Sequence, residues 1–526
     1  MTKLLTSLLG MSLLGPALAV AAAAPAQAQG TAQAIKVALN ADIRSTNPGV
    51  NRDDNTDSVV LHMVEGLVGY RENGSVAPLL AASVDLSPDG KAYTFHLRKG
   101  VTFHNGAPFT AQDVLWNWNR YMDPKTDWRC RSEFDGRNGL KVESVAAPDA
   151  DTVTMTLDRP SALFLGTLAR TDCGGTAILS RDSVKADGSW DKPVGTGPFR
   201  FVEWRQGEYV DVARFDGYRS PPGDRMDGMV GAKTPQVQSV RFLIVPDAAT
   251  AKTALEAGAV DVAQLLDTDV PEMAKSRTAE AAFYPATTKH VFLFQTLDPL
   301  LGNVKLRQAI AASLDIPQLV AAVTNGVGTP NNSAIPPMSD YYDDIQKQGY
   351  RYDPAKAATL LKEAGYKGEP VTIIANKRVH VPSYNAAVIA QAMMQAAGIN
   401  AQIQVMEWAT QLDRYNTGKY QMMSFSYSSR LDPALSYEQF AGPKATQPRK
   451  VWDDPEAQAL LEKASTISDK EQRQSLFDEM HKRQMAATPL IVFTNGQEAW
   501  GHTKRVQNAI PWEGKARVWG ARVAGN

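Results

Sequence analysis

Hydrophobic and polar residues alternate in short runs along this chain, with helical stripes between them. In A-Y-T-F-H-L-R, Ala92 to Arg98, the residues Tyr93, Phe95 and Leu97 share one face and Thr94, His96 and Arg98 the other. A period of two predicts a half-buried strand. Val153, Met155 and Leu157 alternate with threonines in the same way. Thr110 and Asp113 have the spacing of a capping box and predict a helix over 111–121. Asp353-Pro354, followed by Ala357, Leu360, Leu361 and Ala364, supplies an N-cap, a first-turn proline and an apolar stripe that stops at Gly365. A further apolar helix over 386–397 ends at Gly398, and Ile403 and Val405 then begin a strand. The pattern is mixed α/β, with no fixed-period repeat.

The start of the chain reads differently. Lys3 precedes an apolar run broken by Gly10, Gly15 and Pro16, which leads to Ala26-Gln27-Ala28. That is the layout of a secretory signal peptide, 1–28, cut after Ala28. Gln29-Gly30-Thr31 follow, so no lipid-carrying cysteine is expected there. No later stretch approaches about 18 uninterrupted apolar residues, so the expected product is exported, diffusible and not membrane-embedded. The roughly 500 residues that remain exceed one core and call for two or three domains. With 55 Lys and Arg against 56 Asp and Glu, there is no basic excess to hold phosphates, and nucleic acid is not an expected partner. Cys130 and Cys173 are the two cysteines. In an exported chain they are expected to pair, two buried free thiols being the alternative.

A search for chemistry finds little. The seven histidines, His62, His96, His104, His290, His380, His481 and His502, include no pair four residues apart. There is no C-x-x-C or H-E-x-x-H, so neither a metal nor a cofactor is expected. No G-x-S-x-G elbow presents a serine. Gly195-Thr196-Gly197 and Gly326-Val327-Gly328 begin like dinucleotide loops, but Arg200 and Asn331 occupy the third glycine position. His104 and Asp113 could pair as a base and its orienter. The capping box claims Asp113, however, and His104-Asn105-Gly106 reads as a turn, so this stretch is expected to be scaffold. The chain is not expected to be an enzyme.

The stretch from Leu80 to Val114, L-A-A-S-V-D-L-S-P-D-G-K-A-Y-T-F-H-L-R-K-G-V-T-F-H-N-G-A-P-F-T-A-Q-D-V, resembles the signature of the family 5 substrate-binding proteins of ABC transporters, the dipeptide, oligopeptide and nickel receptor family. V-G-T-G-P-F-R-F-V-E-W from Val194, A-L-E-A-G-A-V-D-V from Ala254 and V-K-L-R-Q-A-I-A-A-S-L-D from Val304 resemble later family markers in the same order. Y-D-P-A-K-A-A-T-L-L-K-E-A-G-Y from Tyr352, M-E-W-A-T-Q-L from Met406 and E-Q-R-Q-S-L-F-D-E-M from Glu471 complete the series. The resemblance implies an α/β, two-lobe periplasmic-binding-protein fold of the class II, cluster C type, with an extra subdomain inserted in lobe I. Lobe I would comprise 29–73, 182–284 and 489–526, the inserted subdomain 74–181 with both cysteines, and lobe II 285–488. It further implies a periplasmic, monomeric receptor that captures a peptide or polar small molecule by closing on it. Its partners would be ABC permease subunits and their ATPases.

Ligand identity turns on the loop Y-Q-M-M-S-F-S-Y-S-S-R-L-D-P, Tyr420 to Pro433. In peptide receptors of the family, an aspartate four residues before the proline pairs with the ligand's α-amino group, and a tryptophan often stands three residues earlier. Here those positions hold Ser429 and Ser426. One reading is a polar or anionic ligand without a free amine, such as an opine or sugar conjugate, met by serine hydroxyls and Arg430. In a second, Asp432 or another acid restores an amine site and the ligand is a peptide. In a third, Arg430 is a solvated rim residue. The resemblance implies that Trp408, and Tyr427 likewise, flank the ligand, with buried packing between strand and helix the alternative. Some peptide receptors of the family use a histidine near this point for the ligand's carboxylate, which makes Arg378 and His380 candidates, solvated loop residues being the alternative. A metal-chelate or haem ligand is disfavoured because no histidine falls within 424–432. Outside the receptor class, the alternatives are a secreted hydrolase and a binder with no permease.

Overall fold

The computed structural model describes residues 34–378 and 381–524, so the expected signal peptide lies outside the described residues. Ten strands form one sheet, in the order Ala401–Val405, Val371–Ala375, Met422–Tyr427, Ala279–Phe294, Leu490–Thr503, Val262–Gln264, Ala34–Leu39, Ser239–Ile244, Tyr209–Arg214 and Phe199–Arg205. The two long strands at its centre run antiparallel and divide it. On one side Met422–Tyr427 joins them, followed by the parallel strands Val371–Ala375 and Ala401–Val405. On the other side Val262–Gln264 joins, followed by the parallel pair Ala34–Leu39 and Ser239–Ile244. Register along the long pair shifts between Pro285 and Lys289. Proline has no amide to give to the ladder, so the ribbon is interrupted there.

Each half has its own core. Along V-F-L-F, Phe292 and Phe294 enter one cluster with Ile373 and Met422, while Val291 and Leu293 enter another with Met423 and Phe425. Helices cover both faces, so this strand reads as an unbroken apolar run rather than an alternation.

A separate antiparallel sheet is built from Ala81–Leu86, Ala92–Leu97, Thr152–Leu157 and Val142–Ala146. Its alternation is the one the sequence predicts: Tyr93, Phe95, Leu97, Val153, Met155 and Leu157 are all buried. The helix Ala111–Met122 is capped as expected, with Asp113 Oδ2 accepting from Thr110 N at 2.9 Å. Cys130 and Cys173 form a disulfide, and Trp128 Nε1 donates to the Cys173 carbonyl at 3.0 Å.

His104 proves to be scaffold. Gly195 N donates to its Nδ1 at 3.2 Å and its Nε2 bonds the Gly197 carbonyl at 3.0 Å, so one neutral ring holds both ends of the V-G-T-G segment. Burial lowers its pKa to about 4. The two glycines are there for close packing: a Cβ on Gly195 would stand 2.2 Å from the Met63 carbonyl oxygen.

The helix Pro354–Glu363 starts at its predicted cap, with Asp353 accepting from Lys356 N. The helix expected over 386–397 is Ser383–Ala396 and begins earlier. Its first turn is fixed by a polar contact, Ser383 Oγ donating to the Ser424 carbonyl at 2.8 Å, which a hydrophobic stripe does not register.

Candidate functional site

In open α/β sheets the crevice beyond the carboxyl ends of the parallel strands is the usual place for a ligand. A cavity of about 520 Å³ occupies that position. From one half come Leu39 and Asn40 after the first strand, Val245 and Pro246 after Ser239–Ile244, and Gln264 to Thr268. From the other half come Val381 and Ser426. The floor is the interrupted ribbon itself, with Ala286, Thr288 and His290 on one long strand and residues 496–499 on the other. Each half therefore contributes through segments that follow its strands, and the residues linking the halves contribute the rest.

Ser426 is the one sequence-derived candidate among the described residues that lines this cavity. Its hydroxyl lies 2.7 Å from His290 Nδ1, and burial lowers the His290 pKa to about 4, which keeps the ring neutral. Gly496 makes the floor thin: a Cβ there would stand 1.8 Å from Thr288 Oγ1.

The other candidates fall elsewhere. Arg378 and Trp408 are brought together, the guanidinium lying 3.7 Å over the indole, which in turn stacks on Phe425. His380 lies outside the described residues. Tyr427 corrects an expectation. Its ring is 5% exposed and packs with Phe425, Tyr415 and Phe440, because the alternation along Met422–Tyr427 sends Phe425 and Tyr427 into the core. It is not a wall of the cavity. Asp432 corrects another. Both carboxylate oxygens bond Arg473 Nη2, at 2.8 and 3.0 Å, and Oδ1 caps the helix Pro433–Glu438 at Ala434 N. An acid spent in this way has no charge to offer an amine. Arg430 donates to Ser428 Oγ and the Ser429 carbonyl, within its own loop.

Sequence reasoning missed Glu498 and Glu513. Glu498 lines the cavity and accepts from Trp500 Nε1 at 3.1 Å and Gly514 N at 2.9 Å. Glu513 accepts from Thr287 N and Thr287 Oγ1, and the Ser429 side chain is near enough to oppose the rise in its pKa. Burial raises the pKa of both, that of Glu498 to about 7. No local motif marks either glutamate, since their surroundings come from the central strands and the C-terminal turn.

A larger cavity of about 860 Å³ is lined by Glu72, Arg225, Tyr284, Trp512, Arg517 and others. It holds none of the candidates and does not lie at the strand ends, so the smaller cleft is the better-founded site.

Among the described residues, no helix is long and apolar enough to cross a membrane. A family model described as bacterial extracellular solute-binding proteins, family 5, matches residues 75–448. The chain is 30% identical over 406 residues to a dipeptide-binding protein of Escherichia coli K12, covering 72% of each chain. It is 28% identical over 442 residues to heme-binding protein A of Haemophilus influenzae, covering 78% of this chain and 77% of that protein. Among solved structures, the A. tumefaciens R10 protein AgaA in complex with agropinic acid superposes with a TM-score of 0.65 at 26% identity, covering 90% of this chain and 94% of that one.

Proposed function

The chain belongs to the family 5 bacterial extracellular solute-binding proteins, and from that premise we propose that it is a periplasmic receptor that captures a peptide or peptide-like polar solute between two lobes and delivers it to the permease of an ABC importer. Lobe I is taken as 29–73, 182–284 and 489–526, the inserted subdomain as 74–181 and lobe II as 285–488. The observation that carries this reading is the cleft at the carboxyl ends of the parallel strands, walled by both halves and floored by the interrupted ribbon that joins them. Closure about that ribbon changes the volume between the walls, which is what a capture-and-release receptor requires. The role is binding rather than turnover, and it calls for no cofactor.

The relatives bind different solutes by name, so the family alone does not choose the ligand. A non-peptide anionic ligand is the second reading, favoured by Ser426 and Ser429 standing where peptide receptors place a tryptophan and an aspartate.

A thermal-shift screen of the purified protein tests the receptor reading. A true ligand at about 100 times its dissociation constant adds roughly 2.7 kcal/mol of stability. The reading predicts a clear rise in Tm with at least one class among short peptides, opines and sugar conjugates, and it fails if none moves Tm at millimolar concentration.

A further inference from the structure

Building on the cleft as the ligand site, we propose that Glu498, with Glu513 behind it, is the counter-charge for a cationic group of the ligand, a primary ammonium. The amine contact withheld by Ser429 and by Asp432 is then supplied from the C-terminal part of the chain.

Glu498 lines the cavity, and its two donors, the Trp500 indole and the Gly514 amide, are neutral. The donors to Glu513, the Thr287 amide and hydroxyl, are neutral too. Among the described residues, neither carboxylate forms a direct ion pair, although Lys515 acts on both through space. Lys515 is close, but its Nζ donates to the Glu513 carbonyl at 2.9 Å and lies 3.6 Å from Asp54. Lys289 directs its Nζ to Ser436 Oγ at 3.3 Å and reaches Glu513 only through space. Two neighbouring desolvated acids that hydrogen-bond only to neutral donors and share the through-space pull of Lys515 are short of positive charge, which a proton or a cation supplies.

A second observation points the same way. Gln497 also lines the cavity, and its Nε2 is buried with no hydrogen-bond partner. An unpartnered donor next in sequence to an acid without a direct ion pair fits a ligand that brings both an acceptor and a cation, as the first residue of a peptide does.

Glu513 is delivered by a tight turn. Trp512 N donates to the Lys515 carbonyl at 3.0 Å and Lys515 N to the Trp512 carbonyl at 3.2 Å, leaving Glu513 and Gly514 at the tip with φ of 48° and 78°. Asn-Gly is the favoured pair in such a turn. A glutamate in that place costs backbone energy, and its side chain spans to the central strand and to the Ser429 loop.

The test uses three probe pools on the wild-type protein: free di- to pentapeptides, the same peptides N-acetylated, and amine-free sugar phosphates and dicarboxylates. The free peptides are expected to raise Tm, and acetylation to weaken binding at least ten-fold. Glu498→Gln should weaken the free peptides by a similar factor while changing any residual binding of the acetylated ones less than two-fold. Equal binding of free and acetylated peptides overturns the proposal and leaves the receptor reading standing, as does binding of the amine-free pool alone. Silence of all three pools at millimolar concentration counts against both. The acetylation comparison needs no variant, so a Glu498→Gln protein that fails to fold does not rescue the idea.

Discussion

Asp432 gives both carboxylate oxygens to Arg473, whose side chain is 5% exposed. Neutralising one member of a buried pair strands the other, at a cost of about 3–5 kcal/mol. Asp432→Asn should therefore lose that much stability in urea unfolding, yet keep the wild-type preference between free and acetylated peptides. A changed preference with unchanged stability would move Asp432 from structure to ligand recognition.

Glu498 sets a pH dependence with a definite sign. Its pKa is raised from 4.5 to about 7, so between those values the folded state holds more protons than the unfolded chain. Its contribution is unfavourable above pH 7 and is relieved as pH falls toward 4.5. The limit is about 3 kcal/mol, reduced by residual solvent screening. His62 at about 3 and His104 and His290 at about 4 act in the opposite direction, removing stability as pH falls below 6.5. Comparison with Glu498→Gln isolates the carboxylate. The wild type should gain on the variant as pH drops from 8 to 5, and parallel Tm profiles would contradict the assignment. A cationic ligand should also bind more weakly at pH 5.5 than at pH 8.

The disulfide closes a loop with a sequence separation of 43. By the chain-entropy account it contributes about 4 kcal/mol. Reduction, or the double substitution Cys130→Ser with Cys173→Ser, should lower the unfolding midpoint by a corresponding amount. A shift of less than about 1 kcal/mol would show that the surrounding aromatic packing holds the segment unaided.

Gly496 is the close-approach position in the ribbon, with Thr288 Oγ1 where its Cβ would stand. Gly496→Ala should cost about 1–3 kcal/mol through overpacking. Thr288→Ala in the same chain should recover most of that loss, because it removes the clashing oxygen. Strict additivity in the double-mutant cycle would refute the contact.

Periodic features of this fold were legible in the sequence. The alternation at Tyr93, Phe95 and Leu97, the Thr110–Asp113 box and the Asp353-Pro354 start all depend on neighbours a few residues apart. The site was legible only in part. Ser426, placed by a family marker, lines the cavity. Tyr427 was misread because alternation leaves open which face of a strand meets the cleft, and here the two faces meet the helix-covered core and the cavity floor. Asp432 was misread because Arg473 reaches it from a distant helix. Glu498 and Glu513 could not be found at all: N-G-Q-E-A-W and P-W-E-G-K carry no motif, and folding alone brings them beside Thr287 and Ser429.

The most direct test of the central claim is to fill the cleft and measure binding. Asn40 and Thr268 are exposed residues that line the cavity, so Asn40→Trp and Thr268→Trp place an indole in it without touching the core. Isothermal titration of the strongest thermal-shift ligand should show affinity reduced at least 30-fold in the double variant, with Tm of the ligand-free protein within 2 °C of wild type, since surface substitutions usually change stability by no more than about 0.5 kcal/mol. Unchanged affinity would place the ligand elsewhere, with the 860 Å³ cavity around Arg517 the next site to block.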